Sequence, residues 1–213
     1  EAEQVLKYVR KGEAEKYYSN TVLRLPDEFQ SLYTASSTSY IANRYRQYLY
    51  DRGLTDNDFI KYGIGYCTKG KYADRVIIPS FDANNSLNYF TARSLDPNAF
   101  YRYMNPEASR DIIMFENLIN WNESLIICEG VFDAFAIRRN VTPIMGKNIS
   151  DALMKKIIEN PVPEIYICLD PDAIKASLKH CETFLNMGKK VYLVRSKAKD
   201  PGEEGFIDFT HQL

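Results

Sequence analysis

The 213-residue sequence has little of what several common kinds of catalytic site require. It contains only two histidines, and neither accompanies a Ser or Cys nucleophile that it could activate, so we assign no role to either. Its four cysteines lack the Cys-x-x-Cys spacing of a structural zinc site. A glycine-rich phosphate loop of the Walker type is also absent. These absences leave carboxylates and a metal ion as the expected carriers of any chemistry.

The sequence is also short of net charge and of long apolar runs. The formal net charge of −1 argues against a histone-like or coat role, although a modest excess of Lys and Arg between residues 61 and 110 allows a local basic groove. No apolar run approaches the ~20 residues of a membrane helix, so we expect no membrane partner. Free cysteines within hydrophobic segments fit a reducing compartment, and we predict a cytoplasmic location.

The hydrophobic pattern changes character near residue 120. Before it, helices are predicted around residues 40–49 and after Thr55, followed by β segments at 63–68, 75–81 and 86–95. The segment DANNS between the last two has the composition of a hairpin turn. We therefore predict a smaller mixed α+β subdomain over residues 1–120. Because the chain begins with Glu1 rather than Met, we expect an excised piece or a processed product.

Residues 121–213 alternate hydrophobic strands with helices, which is typical of an α/β domain. The expected strands, at 125–128, 143–145, 165–169 and 190–194, are nearly continuous in hydrophobicity. The expected helices between them span residues 132–139, 150–159 and 174–187. This alternation predicts a parallel sheet that is flanked by helices on both faces.

Acidic residues follow two of these predicted strands. Glu129 follows one strand, and Asp170 and Asp172 follow another. Ligands of such sheets bind at the carboxyl ends of strands, where Asp200 is also expected to lie. Two carboxylates ~4 Å apart repel each other by roughly 4 kcal/mol at an effective dielectric of ~20. The cluster therefore either holds a divalent cation or keeps one acid protonated, and we interpret it as a metal site.

Each of these acids also has a purely structural interpretation. Glu129 can be a turn residue, and Asp133 on the next helix can be a cap. The sequence DPDA can be a turn that caps the helix after it. Asp200, near Glu203 and Glu204, can belong to a solvated acidic face. The presence of acids after two separate strands favours the metal site.

The motifs EGVFDA, LDPDA and KDPGE resemble the three acidic motifs of the Toprim (topoisomerase–primase) domain. Upstream, YLYDRGLTDNDFIKYGIGY, YADRVIIPSF, YRYMNPE and IMFENL resemble segments of DnaG-type primases in the order that this family has. The resemblance spans about residues 40–205 and implies a Toprim-like sheet in the catalytic core of a divergent or bacteriophage primase.

The chain departs from the family pattern at two motifs. Where these primases have DGDxAG, the chain has DPDAIK, and Gly202 replaces the second Asp of the third motif. One metal ligand is then missing or is supplied by Glu203. The zinc-ribbon domain and the helicase-binding domain of the family are absent from the sequence, so both are expected outside it.

The resemblance implies synthesis of short RNA primers from ribonucleoside triphosphates on a single-stranded DNA template, with a replicative helicase as a further partner. Glu129, Asp170 and Asp172 would hold Mg²⁺ or Mn²⁺, with Asp200 as an outer ligand and Asp133 supporting them. By motif position, Arg75, Arg93 and Asn105 would line the path of the template or nucleotide. Tyr103 could stack on a base, and Lys147 in the MGKN turn could face the incoming triphosphate. Tyr103 is equally interpretable as a half-buried strand residue, and Lys147 as a solvent-facing one.

Two other functions stay open at the level of sequence. A Toprim nuclease could use the same acids to cleave nucleic acid, although it would not need the basic upstream segment. A non-catalytic nucleic-acid-binding module would explain the altered second and third motifs.

Overall fold

The first half of the described structure is built on an antiparallel sheet. A computed structural model describes residues 22–194. Its first sheet has the order β1-β2-β3-β4, with antiparallel neighbours throughout. The strands are β1 (Gln30–Ser31), β2 (Gly65–Cys67), β3 (Arg75–Phe81) and β4 (Leu87–Ser94). Two helices, α1 (Tyr40–Tyr50) and α2 (Asp56–Lys61), connect β1 to β2.

Local sequence explains where α1 and the β3–β4 hairpin form. The hydroxyl of Ser39 accepts a hydrogen bond from the Ala42 N–H at 3.2 Å and caps α1. In the hairpin turn, Asp82 Oδ1 accepts hydrogen bonds from the N–H groups of Asn84 and Ser86 at 2.8 and 2.9 Å. Asn85 has the positive φ, 59°, that Asn tolerates in turns. The predicted hairpin is therefore confirmed, whereas the two-residue strand β1 was not predicted.

The second half is built on a parallel sheet with the order β6-β5-β7-β8. Its strands are β5 (Leu125–Cys128), β6 (Val141–Pro143), β7 (Glu164–Cys168) and β8 (Lys190–Leu193). Helices α3 (Val131–Ile137), α4 (Asp151–Glu159) and α5 (Ile174–Asn186) connect the strands. The predicted α/β class and the parallel sheet are confirmed, and β6 begins two residues before its predicted position.

Buried aromatic residues connect the two halves. The ring of Tyr62 packs 4.9 Å from that of Phe115 and 4.7 Å from that of Phe135 on α3. One hydrophobic cluster accordingly contains side chains from both sheets. The change from antiparallel to parallel sheet falls near residue 120, but the division into two domains there stays a prediction. Among the described residues, no helix has the length and apolar character needed to cross a membrane.

Candidate functional site

Three carboxylates meet at the carboxyl edge of the parallel sheet. Cys128 and Cys168 are register partners at the ends of the neighbouring strands β5 and β7, so the residues that follow them leave the sheet side by side. Glu129, Asp170 and Asp172 each place a carboxylate oxygen within 4.8 Å of the other two. Glu129 and Asp170 are half-buried, and Asp172 is exposed. The structure thus brings together the three acids that the sequence analysis selected.

Glu129 occupies an environment that disfavours an isolated negative charge. Burial raises the pKa of Glu129, and the neighbouring charges of Asp170 and Asp172 raise it further. Its Oε2 atom is buried and has no hydrogen-bond partner among the described residues. A buried oxygen of this kind is normally satisfied, and a bound cation would satisfy it. Because carboxylate oxygens are the ligands that Mg²⁺ and Mn²⁺ prefer, the three residues fit such an ion.

The segment DPDA forms a 3₁₀ turn, Pro171–Ala173, between β7 and α5. The Ala173 N–H donates to the Asp170 carbonyl at 2.8 Å, and Pro171 supplies a φ suited to the first position of the turn. The Asp170 side chain does not cap this turn. The structural alternative is therefore half right, since the turn exists but does not use the carboxylate as a cap.

Asp133 does act as a helix cap. Its Oδ2 accepts a hydrogen bond from the Gly130 N–H at 2.8 Å, which fixes the first turn of α3 directly after Glu129. Asp133 is buried, and this hydrogen bond joins it to the main chain beside Glu129. Its expected supporting role stays a prediction that this geometry favours. Asp200 lies outside the described residues.

Lys147 contacts the acidic cluster directly. Its Nζ lies 2.7 Å from Asp172 Oδ2, and this hydrogen bond raises the pKa of Lys147. The His180 imidazole donates from Nε2 to the Lys147 carbonyl at 2.9 Å. Sequence analysis assigned no role to His180, and no local signal could have found one because its partner is 33 residues away.

Arg93 belongs to a surface of alternating cations and aromatic rings, which we call the cation–aromatic surface. The guanidinium of Arg93 lies 4.5 Å from the ring centroid of Tyr103 and 5.6 Å from that of Phe132. Arg52 lies 4.5 Å from the ring of Tyr48 and 5.4 Å from that of Phe132. Sequence analysis did not select Arg52, Tyr48 or Phe132, although Arg52 stands in the RGL segment that resembles primases.

Arg75 and Asn105 make different use of their polar atoms. The buried Arg75 guanidinium donates to the carbonyls of Tyr101 at 2.8 Å and Arg102 at 3.3 Å, and burial lowers its pKa. Arg75, on β3, thus fixes the loop that follows β4. Within the described part of the chain, the Oδ1 atom of Asn105 is buried and has no hydrogen-bond partner. The expected contacts of both residues with nucleic acid stay predictions.

Comparison with known proteins finds distant relatives. No family model matches the chain. An uncharacterized protein of Mycoplasma genitalium is 26% identical over 185 residues, with 80% of this chain and 83% of that protein covered. A DNA primase of Thermotoga maritima is 23% identical, with 74% of this chain and 36% of the primase covered. A DNA primase of Legionella pneumophila is 22% identical, with 97% and 46% covered. The chain thus spans less than half of the curated primases that it matches.

Solved structures share the fold at low sequence identity. A DnaG primase catalytic domain bound to single-stranded DNA superposes with a TM-score of 0.70 at 19% identity, over 99% of this chain and 78% of that one. The Escherichia coli primase catalytic core gives a TM-score of 0.66 at 19% identity, over 82% and 73% of the two chains. An Aquifex aeolicus primase with zinc-binding and RNA polymerase domains gives 0.62 at 17% identity, over 92% and 56%. The chain therefore has the fold of the catalytic core of DnaG-type primases.

Proposed function

We propose that the chain is the catalytic core of a DNA primase, a nucleotidyltransferase that joins ribonucleoside triphosphates into short RNA primers on single-stranded DNA during replication. The observation that carries this proposal is the convergence of Glu129, Asp170 and Asp172 within 4.8 Å at the edge of the parallel sheet. The same edge is where ligands bind in open α/β folds. The fold that surrounds these acids is that of primase catalytic cores.

Glu129, Asp170 and Asp172 would hold Mg²⁺ or Mn²⁺, with Asp200 as a further ligand. When bound, such an ion would offset phosphate charge and favour the ionised form of the attacking 3′-hydroxyl. The half-buried Glu129 would fix the position of the site, since its environment disfavours a free carboxylate. Asp133 would hold the main chain at Gly130 and with it the direction of Glu129.

The cation–aromatic surface would receive the template or the nucleotide. Arg93 supplies positive charge, and its planar group suits phosphate oxygens. Tyr103 is 38% exposed and lies under Arg93, so one face of this pair remains accessible to a base. Asn105 would offer its buried amide oxygen to the same strand. Arg75 would act on this surface through the loop that carries Tyr101 and Arg102.

A primer-synthesis assay tests the proposal. The full chain is incubated with labelled ribonucleotides, Mg²⁺ or Mn²⁺, and single-stranded DNA, and we expect dinucleotides and short RNA products. Asp170→Ala should abolish these products while circular dichroism remains that of the native fold. Normal product formation by this variant would contradict the assignment of the acids.

The same reaction distinguishes the two alternative functions. Metal-dependent shortening of the DNA, without RNA products, would indicate a Toprim nuclease. Binding of single-stranded DNA without either reaction and without Mn²⁺ binding would indicate a non-catalytic module. The basic upstream segment supports the primase, since a nuclease would not need it.

Partners outside the described chain complete the proposal. The chain covers 56% of an Aquifex primase that contains zinc-binding and RNA polymerase domains. It also covers 72% of the primase fragment of the bacteriophage T7 primase-helicase protein, with a TM-score of 0.56. We propose that a zinc-ribbon domain and a replicative helicase act with this chain in the cytoplasm of a bacterial cell or a phage-infected host.

A further inference from the structure

The loop between β6 and α4 is hydrogen-bonded to both parts of the molecule that carry the acids. The Met145 N–H donates to the Glu129 carbonyl at 2.9 Å, which fixes the loop to the end of β5. On its other side, the Lys147 carbonyl accepts from His180 on α5, the helix that follows Asp172. Met145 has a positive φ of 55°, and its backbone is held there by these contacts. The loop therefore has little freedom to move Lys147 away from the acids.

Lys147 changes the charge of the acidic cluster. Its ammonium lies 2.7 Å from Asp172 and reduces the formal charge of the three carboxylates from −3 to −2, which one divalent ion balances. The side chains of Lys147 and Asp172 are 47% and 72% exposed, so the ion pair is accessible and can be exchanged. Lys147 also lines a groove of about 680 Å³ together with Arg110. Asp111 and Asp151 also line the groove and balance its formal charge, so Lys147, which is bonded to Asp172, is the cation that links the groove to the acidic cluster.

We propose that Lys147, positioned by His180, serves as a built-in cation of the acidic site. Its ammonium competes with the divalent ion for Asp172 and moves to a phosphate oxygen when a nucleotide binds. This inference rests on the proposed function, because it presumes a metal ion and a nucleoside triphosphate at this edge of the sheet. Without nucleotide, the ammonium neutralises Asp172 and competes with the ion for it. With nucleotide, the ammonium would leave Asp172 free for the ion and would contact the polyphosphate instead.

Calorimetric titration of the full chain with MnCl₂, and then with ATP at saturating Mn²⁺, tests the proposal. Lys147→Met removes the charge and keeps most of the stem. We expect about fivefold tighter Mn²⁺ binding, because a competing cation is removed, and about threefold weaker ATP binding, because a phosphate contact is lost. The two effects have opposite signs, whereas general damage to the site would weaken both ligands. The matched control is Lys155→Met, which removes the same charge from an exposed pair with Glu159.

His180 is tested as a residue that acts through Lys147. His180→Ala should shift both affinities in the same directions as Lys147→Met by about twofold, and His180→Gln should restore them because its amide can donate to the Lys147 carbonyl. In a Lys147→Met background, His180→Ala should add nothing. An additional effect of equal size in that background would show that His180 acts independently of Lys147.

The outcomes separate this inference from the primase proposal. Unchanged Mn²⁺ affinity in Lys147→Met, together with weakened binding in Asp172→Asn, would overturn the role of Lys147 and leave the metal site intact. Mn²⁺ binding that follows the predictions in a protein that makes no primers would support the role of Lys147 and contradict the primase. If neither the native protein nor Lys147→Met bound Mn²⁺, both proposals would be wrong.

Discussion

Arg75 in the antiparallel half and Glu129 in the parallel half show two different uses of a charged side chain. In the antiparallel half, two arginines donate to main-chain carbonyls: Arg75 bonds to those of Tyr101 and Arg102, and Arg46 to those of Leu32 and Ala35 at 2.8 and 2.6 Å. In the parallel half, carboxylates are crowded at one edge of the sheet, and Glu129 there has a buried oxygen without a partner among the described residues. Arg75 and Arg46 thus stabilise the fold, whereas the Glu129 carboxylate can still bind a ligand.

Sequence alone does not distinguish a structural arginine from one that can bind a ligand. Arg75 and Arg93 both match family positions along the nucleic-acid path, yet Arg75 is 8% exposed and Arg93 lies within the cation–aromatic surface. A charged group that satisfies buried carbonyls stabilises the fold, since their loss would leave polar atoms unpaired. A charged group near rings at an accessible surface is available to a ligand.

The largest expected effect is on the acidic edge. Asp170→Asn preserves the size of the side chain and removes its charge, so we expect primer synthesis and Mn²⁺ affinity to fall at least about 100-fold, because electrostatic stabilisation of phosphoryl transfer depends on the bound ion. The free energy of unfolding should not fall, since removing one of three crowded like charges relieves repulsion. Denaturant titration measures this second quantity. Glu182→Gln, at an exposed position of α5, is the matched control.

The next largest effect is on stability and concerns Arg75 in the antiparallel half. Arg75→Ala should lower the free energy of unfolding by about 2 kcal/mol, because two buried carbonyls lose a charged donor. Urea denaturation measures it, and Arg75→Lys should recover part of the loss through one remaining donor. If Arg75→Ala left stability unchanged and weakened DNA binding, Arg75 would be a nucleic-acid-binding residue rather than a structural one.

Variants of Asp133 test whether this acid of the parallel half serves stability alone or also activity. Asp133→Ala should lower the free energy of unfolding by about 1 kcal/mol through loss of the cap of α3. Asp133→Asn retains an oxygen for the Gly130 N–H and should restore stability. If primer synthesis recovers with stability, Asp133 acts only as a cap. Low activity in a fully stable Asp133→Asn variant would instead assign a role to its charge near Glu129.

The smallest expected effect is at Arg93. Arg93→Ala should weaken binding of single-stranded DNA about threefold at moderate salt and make the salt dependence shallower by about one phosphate contact. Fluorescence anisotropy with a labelled oligonucleotide at several salt concentrations measures the slope. Arg93→Lys keeps the charge and should keep the slope. An unchanged slope in Arg93→Ala would mean that Arg93, like Arg75, serves the fold through Tyr48 and Tyr103.

Much of the fold follows from local pattern. The hydrophobic strands β5 and β7, the alternation with helices and the DANNS turn were all predictable, because burial on both faces and turn geometry each demand particular residues at short spacing. Strand β1 has only two residues, too few to show a periodicity, and it exists because Gln30 and Ser31 pair with Tyr66 and Gly65. Its position depends on the sheet that receives it.

The acidic site was predictable for a related reason, whereas the side-chain contacts around it were not. Acids that follow parallel strands must emerge at one edge, so Glu129 and Asp170 could be placed together from sequence. The contact between His180 and Lys147, and the approach of Arg52 to Phe132, join residues that are far apart in sequence and lie on different elements. No spacing rule applies to such pairs.

The sequence by itself determined how the longer strands and the helices succeed one another along the chain, the hairpin turn and the edge at which the acids emerge. These features depend on backbone geometry and on the period of the hydrophobic pattern. Only the tertiary structure decided which charged side chains bond within the protein and which are accessible to a ligand. Side-chain partners are chosen by packing between distant segments, and a guanidinium that can reach a buried carbonyl will bind it rather than remain at the surface. Arg75 shows this outcome and Arg93 the alternative.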